Sequence, residues 1–442
     1  MKSKIDFVKG NTKKNLLLMV APLLAAMLLT MAYNLVDSLW VGNLLGESGY
    51  AALTNSTAIV LILSAIAMGC SNGIAILVSQ IVGAGKKETA NGVIMTILLL
   101  SGGFAVIVTI VLELYLKYIL RIMNTPSELF DAAYEYLAIY LLGYIAIYIY
   151  MQFTAVFRSF GDPVFQMKGM LFTTIFNAVL DPVMIHFMGL GGAAWATVCS
   201  EVLCVVYAFC YHRKKKMFQL DLRKASIHYI KTILSCAIPA AVQGCMPAIS
   251  SAAMLILVTQ YGVTTIAAYG VTNKLEILLF YPAMAMNMGL TTIAGLCFGA
   301  KRMDRVHDYL KSGLIIGGAF TAVTTVCVMI FAGQLSGLFV DSVEAAEIVK
   351  RFFGIVSIGY IMYMITSCFL GIISGFGKPG VSLILFFLYY IVIRIPMAVF
   401  LVHSSLGLDG IWVAILISHI IAALIAGVFE HTITERIKKS GE

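Results

Sequence analysis

Asp37 is the only charged residue between Lys14 and Glu47, and it lies inside an apolar run long enough to cross a bilayer. A carboxylate at hydrocarbon depth is costly and by default marks a working site. Tyr33 and Asn34 stand four and three residues before it, one turn back on the same helical face. Asn177 and Asp181 repeat the theme at a spacing of one turn, and Pro182 follows them. A proline cannot donate to the carbonyl four residues back, here that of Ala178. The spacing therefore predicts a freed carbonyl beside an amide and a carboxylate, an oxygen set suited to a hard cation such as Na+. Thr197 offers a further hydroxyl. Desolvation disfavours a charged carboxyl, so the same acids can instead carry H+. The expected chemistry is capture and release of a small cation, with Asp37 and Asp181 brought together only if their helices are neighbours.

The elements that hold these residues are membrane helices. The chain of 442 residues is 60% hydrophobic and 12% charged, with a mean hydropathy of +0.95. A soluble domain carries roughly twice that charged fraction. At about 20 apolar residues per crossing, twelve spans are expected near 15–41, 51–80, 93–116, 132–157, 164–187, 192–211, 231–258, 266–294, 313–333, 348–374, 381–402 and 408–430. The first apolar run is too long for a cleaved signal and contains an acid, so it is read as the first span. The net charge of +8 is spread between spans and does not suggest nucleic acid. Of 30 Lys and Arg, 24 fall in one alternating set of segments, including Lys2, Lys4, the 212–231 loop and Lys439. That bias puts both termini and the central loop in the cytoplasm. The nine cysteines show no CxxC pair and no metal spacing, and read as small hydrophobes.

Two halves echo each other. Pro22 and Pro239, Gly83 and Gly299, Gly161 and Gly377, Gly189 and Gly407 are separated by 217, 216, 216 and 218 residues. Six spans per half gives both halves one orientation, an arrangement that places substrate sites near the midplane. The expected division is 1–211, a cytoplasmic loop 212–231, and 232–442. Pro22 and Pro182 are candidate hinges. Aromatic and Met side chains suited to organic cations are Tyr140, Met151 and Phe153 in the first half and Tyr281, Met284 and Met288 in the second. Glu276 is the second half's only acid at span depth, either a cavity acid or a structural charge paired with a lysine or the next helix. Arg394 reads as a structural or gating charge. Gly83-Ala84-Gly85-Lys86 is not a phosphate loop, because Gln80 and Lys87 stand where Gly and Ser/Thr are needed.

Val36-Asp37-Ser38-Leu39-Trp40-Val41-Gly42, Gly69 to Gly73, and Leu77-Val78-Ser79-Gln80 with Gly83-Ala84-Gly85 resemble the multidrug and toxic compound extrusion (MATE) family over nearly the whole chain. The resemblance implies an all-α membrane protein, not an enzyme, of two pseudo-symmetric six-helix bundles in a V. It implies export of organic, often cationic, amphipathic compounds across a bacterial cytoplasmic membrane in exchange for Na+ or H+, with no other cofactor and no obligate protein partner. Asp37, Asn177, Asp181 and Thr197 match the cation cluster of the DinF-type branch. The NorM-type acids are missing, since the seventh span has Gln243 and the tenth has no acid; Leu296-Cys297 replaces the usual Gln-Asn pair. The alternative is a lipid-linked oligosaccharide flippase of similar architecture. Such a protein lines its cavity with several basic residues, whereas only Lys274 and Arg394 are expected to be buried and basic.

Overall fold

The computed structural model describes residues 6–337, 339 and 342–440. Lys2 and Lys4 of the basic amino-terminal segment lie outside the described residues. Long apolar runs with few breakers fold as α1 (Thr12–Gly83), α2 (Lys87–Ile122), α3 (Ser127–Ser159), α4 (Val164–Lys215), α5 (Ile230–Val258), α6 (Val263–Gly299), α7 (Met303–Ser336) and α8 (Val343–Gly375). They continue with α9 (Pro379–Phe387), a π-helical turn (Leu388–Arg394), α10 (Ile395–Val402) and α11 (Leu408–Ser440). No strand occurs among the described residues. A membrane leaves no water to satisfy backbone groups, so a helix, which pairs them internally, is the stable solution.

Among the described residues, ten segments are long and apolar enough to cross a membrane. Two of them, α1 with 72 residues and α4 with 52, each hold two spans joined at one left-handed glycine, Gly46 (φ 70°) and Gly189 (φ 59°). The twelve expected spans are thus present in an all-helical fold of two six-span bundles. The repeat is also written in the backbone. Left-handed residues recur at Gly46 and Gly262, Gly85 and Lys301, and Gly161 and Gly377, each pair 216 apart, and at Gly189 and Gly407. Only the first of these pairs carries no sequence motif. Lys301 shows that the turn geometry is kept even where the residue is not Gly, at a cost glycine would avoid.

Two compact units form, Ala21–Ala241 and Ile5–Val20 together with Val242–Glu442. Relative to a division at the 212–231 loop, the stretch 5–20 falls in the second unit and 212–241 in the first. The chain crosses between units beside Pro22 and just after Pro239. In the first unit α3 packs on α2 and α4. One core there gathers Val41, Tyr136, Tyr140 and Ile185, and another gathers Val78, Phe153, Phe157 and Phe165. The start of α5 lies so close to α1 that a Cβ on Gly69 or Gly73 would strike the backbone of Ala240 or Cys236. Small residues permit such backbone contact, which drives helix association in lipid. In the second unit α8 packs on α6, α7 and α11. Its core holds Phe352, Tyr360 and a fully buried Trp412. The segment before α1 is fixed there too: Tyr309 donates to the Phe7 carbonyl at 2.9 Å, and Arg305 donates to that of Gly10.

Candidate functional site

The acids of the first bundle meet. The first half of α1 carries Tyr33, Asp37 and Trp40 on one side, and α4 carries Asn177 and Asp181 on the turn before its proline. Asp37 is 8% exposed and Asp181 is 0% exposed. Their carboxyl groups act directly on each other. Asn177 Nδ2 donates to Asp181 Oδ1 at 3.0 Å. Across the second half of α4, the Tyr33 hydroxyl donates to Thr197 Oγ1 at 3.2 Å. Three buried oxygens, Asp37 Oδ1, Asp181 Oδ2 and Asn177 Oδ1, meet no donor among the described residues. Two carboxyl groups this close repel when both are ionised, and a shared proton or a small cation between them removes the repulsion. The unpartnered oxygens fit such a group by their chemistry. The buried Tyr136 and Tyr140 of α3, stacked with centroids 6.2 Å apart, lie in the electrostatic field of Asp37.

Two expectations about this cluster need correcting. The Ala178 carbonyl, freed by Pro182, is not open to a cation: Trp40 Nε1 donates to it at 3.1 Å. Trp40 is three residues after Asp37, so the helix that supplies the acid also caps the proline gap. Asn34 is exposed and outside the cluster. It follows Tyr33 by one residue, and a step of about 100° carries its side chain off the buried face.

Among the aromatic and Met candidates, Tyr140 joins the cluster's wall. Phe153 is fully buried against Phe157 and Phe209. Met151 is half-buried, and its carbonyl accepts from Ser71. In the second bundle Met288 is buried, while Tyr281 and Met284 are half-buried. Glu276 is buried and accepts from the Tyr360 hydroxyl of α8 at 2.7 Å. Arg394, on the π-helical turn, donates to Ser418 at 2.9 Å and to the Tyr389 hydroxyl at 2.6 Å. Its guanidinium lies 4.7 Å from the ring centres of both Tyr389 and Tyr390. Pro396, which lacks an N–H, sits just beyond this widened turn. Lys274 is not buried; it is exposed and lies over the Phe339 ring. The buried basic residues at helix depth include Arg158, which sequence placed in a loop.

Glu201 went unnoticed in the sequence. It stands one turn beyond Thr197, the same four-residue step that joins Asn177 to Asp181, and that spacing was the available signal. It is half-buried, and its charge acts on Tyr33 and Tyr140.

A twelve-span, six-plus-six helical bundle with a buried acid pair in one half is the architecture of a membrane transporter. The MatE family pattern matches residues 22–183 and 239–400, one stretch per half and each beginning at the proline near its unit crossing. The chain belongs to the MatE family. Probable multidrug resistance protein YpnP of Bacillus subtilis is 27% identical over 428 residues, covering 95% of each chain. Multidrug export protein MepA of Staphylococcus aureus is 23% identical, covering 98% of this chain and 96% of that one. Among solved structures, MATE in complex with MaL6 superposes with a TM-score of 0.93 at 23% identity, covering 99% and 100%. A MOP superfamily transporter from Pyrococcus furiosus gives 0.93 at 24% identity, covering 99% of each. These likenesses carry the fold and the family; nothing in them favours the flippase reading or separates the DinF-type from the NorM-type branch.

Proposed function

We propose that this chain exports small, cationic, amphipathic organic compounds across a bacterial cytoplasmic membrane in exchange for H+ or Na+, with both termini on the cytoplasmic side. The observation that carries the reading is the pair of buried carboxyl groups, Asp37 and Asp181, with oxygens that lack donors. The relatives named as multidrug proteins support the substrate class. Thr197, Asn177 and Tyr33 complete the site, and its confinement to 1–211 supports the DinF-type reading. In the second half, 232–442, Glu276 is engaged by Tyr360, which favours a structural role there.

The cycle needs only this chain's residues and a coupling ion. The ion arrives from outside, neutralises the paired acids and releases the drug. It leaves inward, and the re-ionised acids again favour a cation. Pro22 and Pro182 absorb the helix bending as the site alternates between the two faces. One charge falling through 100 mV supplies about 2.3 kcal/mol, and one pH unit adds about 1.36 kcal/mol for a proton. At about 1.4 kcal/mol per decade, this sustains roughly a few hundred-fold for a neutral drug; a monovalent cation leaves against the same potential, so one-for-one exchange keeps only the concentration term, about tenfold per pH unit.

The test uses the purified protein in vesicles, with ethidium efflux driven by an imposed pH or Na+ gradient. Wild type responds to one gradient, which names the ion. Asp37→Asn reaches the membrane but exports nothing above protein-free vesicles. Efflux by that variant within twofold of wild type removes the mechanism.

A further inference from the structure

Arg158 ends α3 within Phe157-Arg158-Ser159-Phe160-Gly161-Asp162-Pro163. It is 1% exposed. Its Nη2 donates to Asn72 Oδ1 of α1 at 2.9 Å. Its Nε and Nη1 meet no acceptor among the described residues. The nearest acid in sequence, Asp162, is occupied elsewhere: the Tyr211 hydroxyl donates to it at 2.7 Å, and Lys215 lies 3.9 Å from it. Among the described residues no carboxylate forms an ion pair with Arg158.

A guanidinium cannot resolve this by shedding its proton. A buried charge without a counter-charge costs several kcal/mol, far more than a neutral donor left unbonded. The hydroxyls next to Arg158 and Asn72 in sequence are neutral and already bonded. Ser159 Oγ donates to the Ala155 and Ala75 carbonyls, and Ser71 Oγ donates to that of Met151. We propose that Arg158 and Asn72 form a binding site for a small monovalent inorganic anion of chloride size, held by the two free guanidinium edges. The enclosure sets the size. With Arg158 itself 1% exposed, a small singly charged ion costs less to enclose than a large doubly charged one such as sulfate. Asn72 is half-buried and provides the way in. The site belongs to one half only: 216 residues on stands Ser374, which bonds Ser382 at 2.9 Å and carries no charge. This site is separate from the Asp37 cluster and stands or falls apart from the export reading.

The test measures thermal unfolding of the full chain in detergent, titrating sodium chloride against sodium gluconate at constant ionic strength, with sodium sulfate as the large-anion control. Wild type shows a saturable rise in Tm with chloride and none with sulfate. Arg158→Gln loses the chloride dependence. Should that variant fail to fold, Asn72→Ala keeps the charge and needs about tenfold more chloride for the same rise. Bromide-soaked crystals place an anomalous peak beside the Arg158 guanidinium. The proposal is overturned by a wild type indifferent to chloride, by a chloride response unchanged in Asn72→Ala, by an equal response to sulfate, or by a guanidinium with water alone beside it.

Discussion

Trp40 gives the most exacting test of how the acid site is built. Pro182 removes the N–H that would bond the Ala178 carbonyl, and Trp40 Nε1 takes its place at 3.1 Å. Trp40→Phe removes that donor and keeps most of the ring. This half-buried carbonyl at span depth has no water to turn to and left unbonded costs about 1–3 kcal/mol, so the variant unfolds more easily by about that amount. In a Pro182→Ala background the backbone supplies an N–H four residues on from Ala178, and the indole is redundant. The same Trp40→Phe change then costs less than about 0.5 kcal/mol. The two changes are therefore strongly non-additive, with a coupling of about 1–2 kcal/mol, whereas independent sites add to within a few tenths. Denaturant unfolding of the four proteins in detergent reads the cycle directly. Costs that add within about 0.5 kcal/mol would show that Trp40 does not cap the proline gap, and the link drawn between α1 and α4 at this level would fail.

Further outcomes follow from other buried or paired charges. Arg394→Met breaks the bonds to Ser418 and Tyr389 and removes the guanidinium's field at Glu276, so it destabilises by about 2–3 kcal/mol; adding Glu276→Gln recovers part of that loss, as denaturant unfolding checks. At the α6–α7 elbow, outside the spans, Arg302 holds the exposed Asp304 carboxyl at about 2, below its ordinary 3.8. A depressed carboxyl stabilises above its unfolded value and loses that contribution as pH falls through the folded one. Asp304→Asn therefore differs from wild type above about pH 4 and converges with it near pH 2, an effect weakened by salt. Acid titration at two ionic strengths checks it.

The fold was legible because bilayer thickness fixes span length and the repeat fixes span order. Pro22 with Pro239 and Gly161 with Gly377 announced two like halves before any coordinates. What the sequence concealed was side-chain direction. Asn34 and Tyr33 both look adjacent to Asp37 along the chain, yet a single residue's rotation separates the exposed amide from the buried phenol. Phe153 and Tyr140 look alike as aromatic candidates on one helix, and only packing shows that the first faces Phe157 and Phe209 while the second faces the acid cluster.

The charged residues carry the same lesson in a sharper form. The Lys and Arg bias counts Arg158 only by the end of the span it occupies, which is all that the expected orientation needs. It said nothing about depth, and the side chain runs back into the bundle towards Asn72. Glu201 was overlooked for the opposite reason: a search for isolated acids in apolar runs favours Asp37, whereas Glu201 stands near the polar Ser200 and Thr197. Yet its four-residue step from Thr197 is the step that made Asn177 and Asp181 conspicuous. A periodicity test applied to every polar pair, rather than to lone acids, would have placed Glu201 on the face that meets Tyr33. Three carboxyl groups, those of Glu201, Asp37 and Asp181, therefore act on the Tyr33 hydroxyl, and the half-buried Glu201 belongs with the acid site's surroundings.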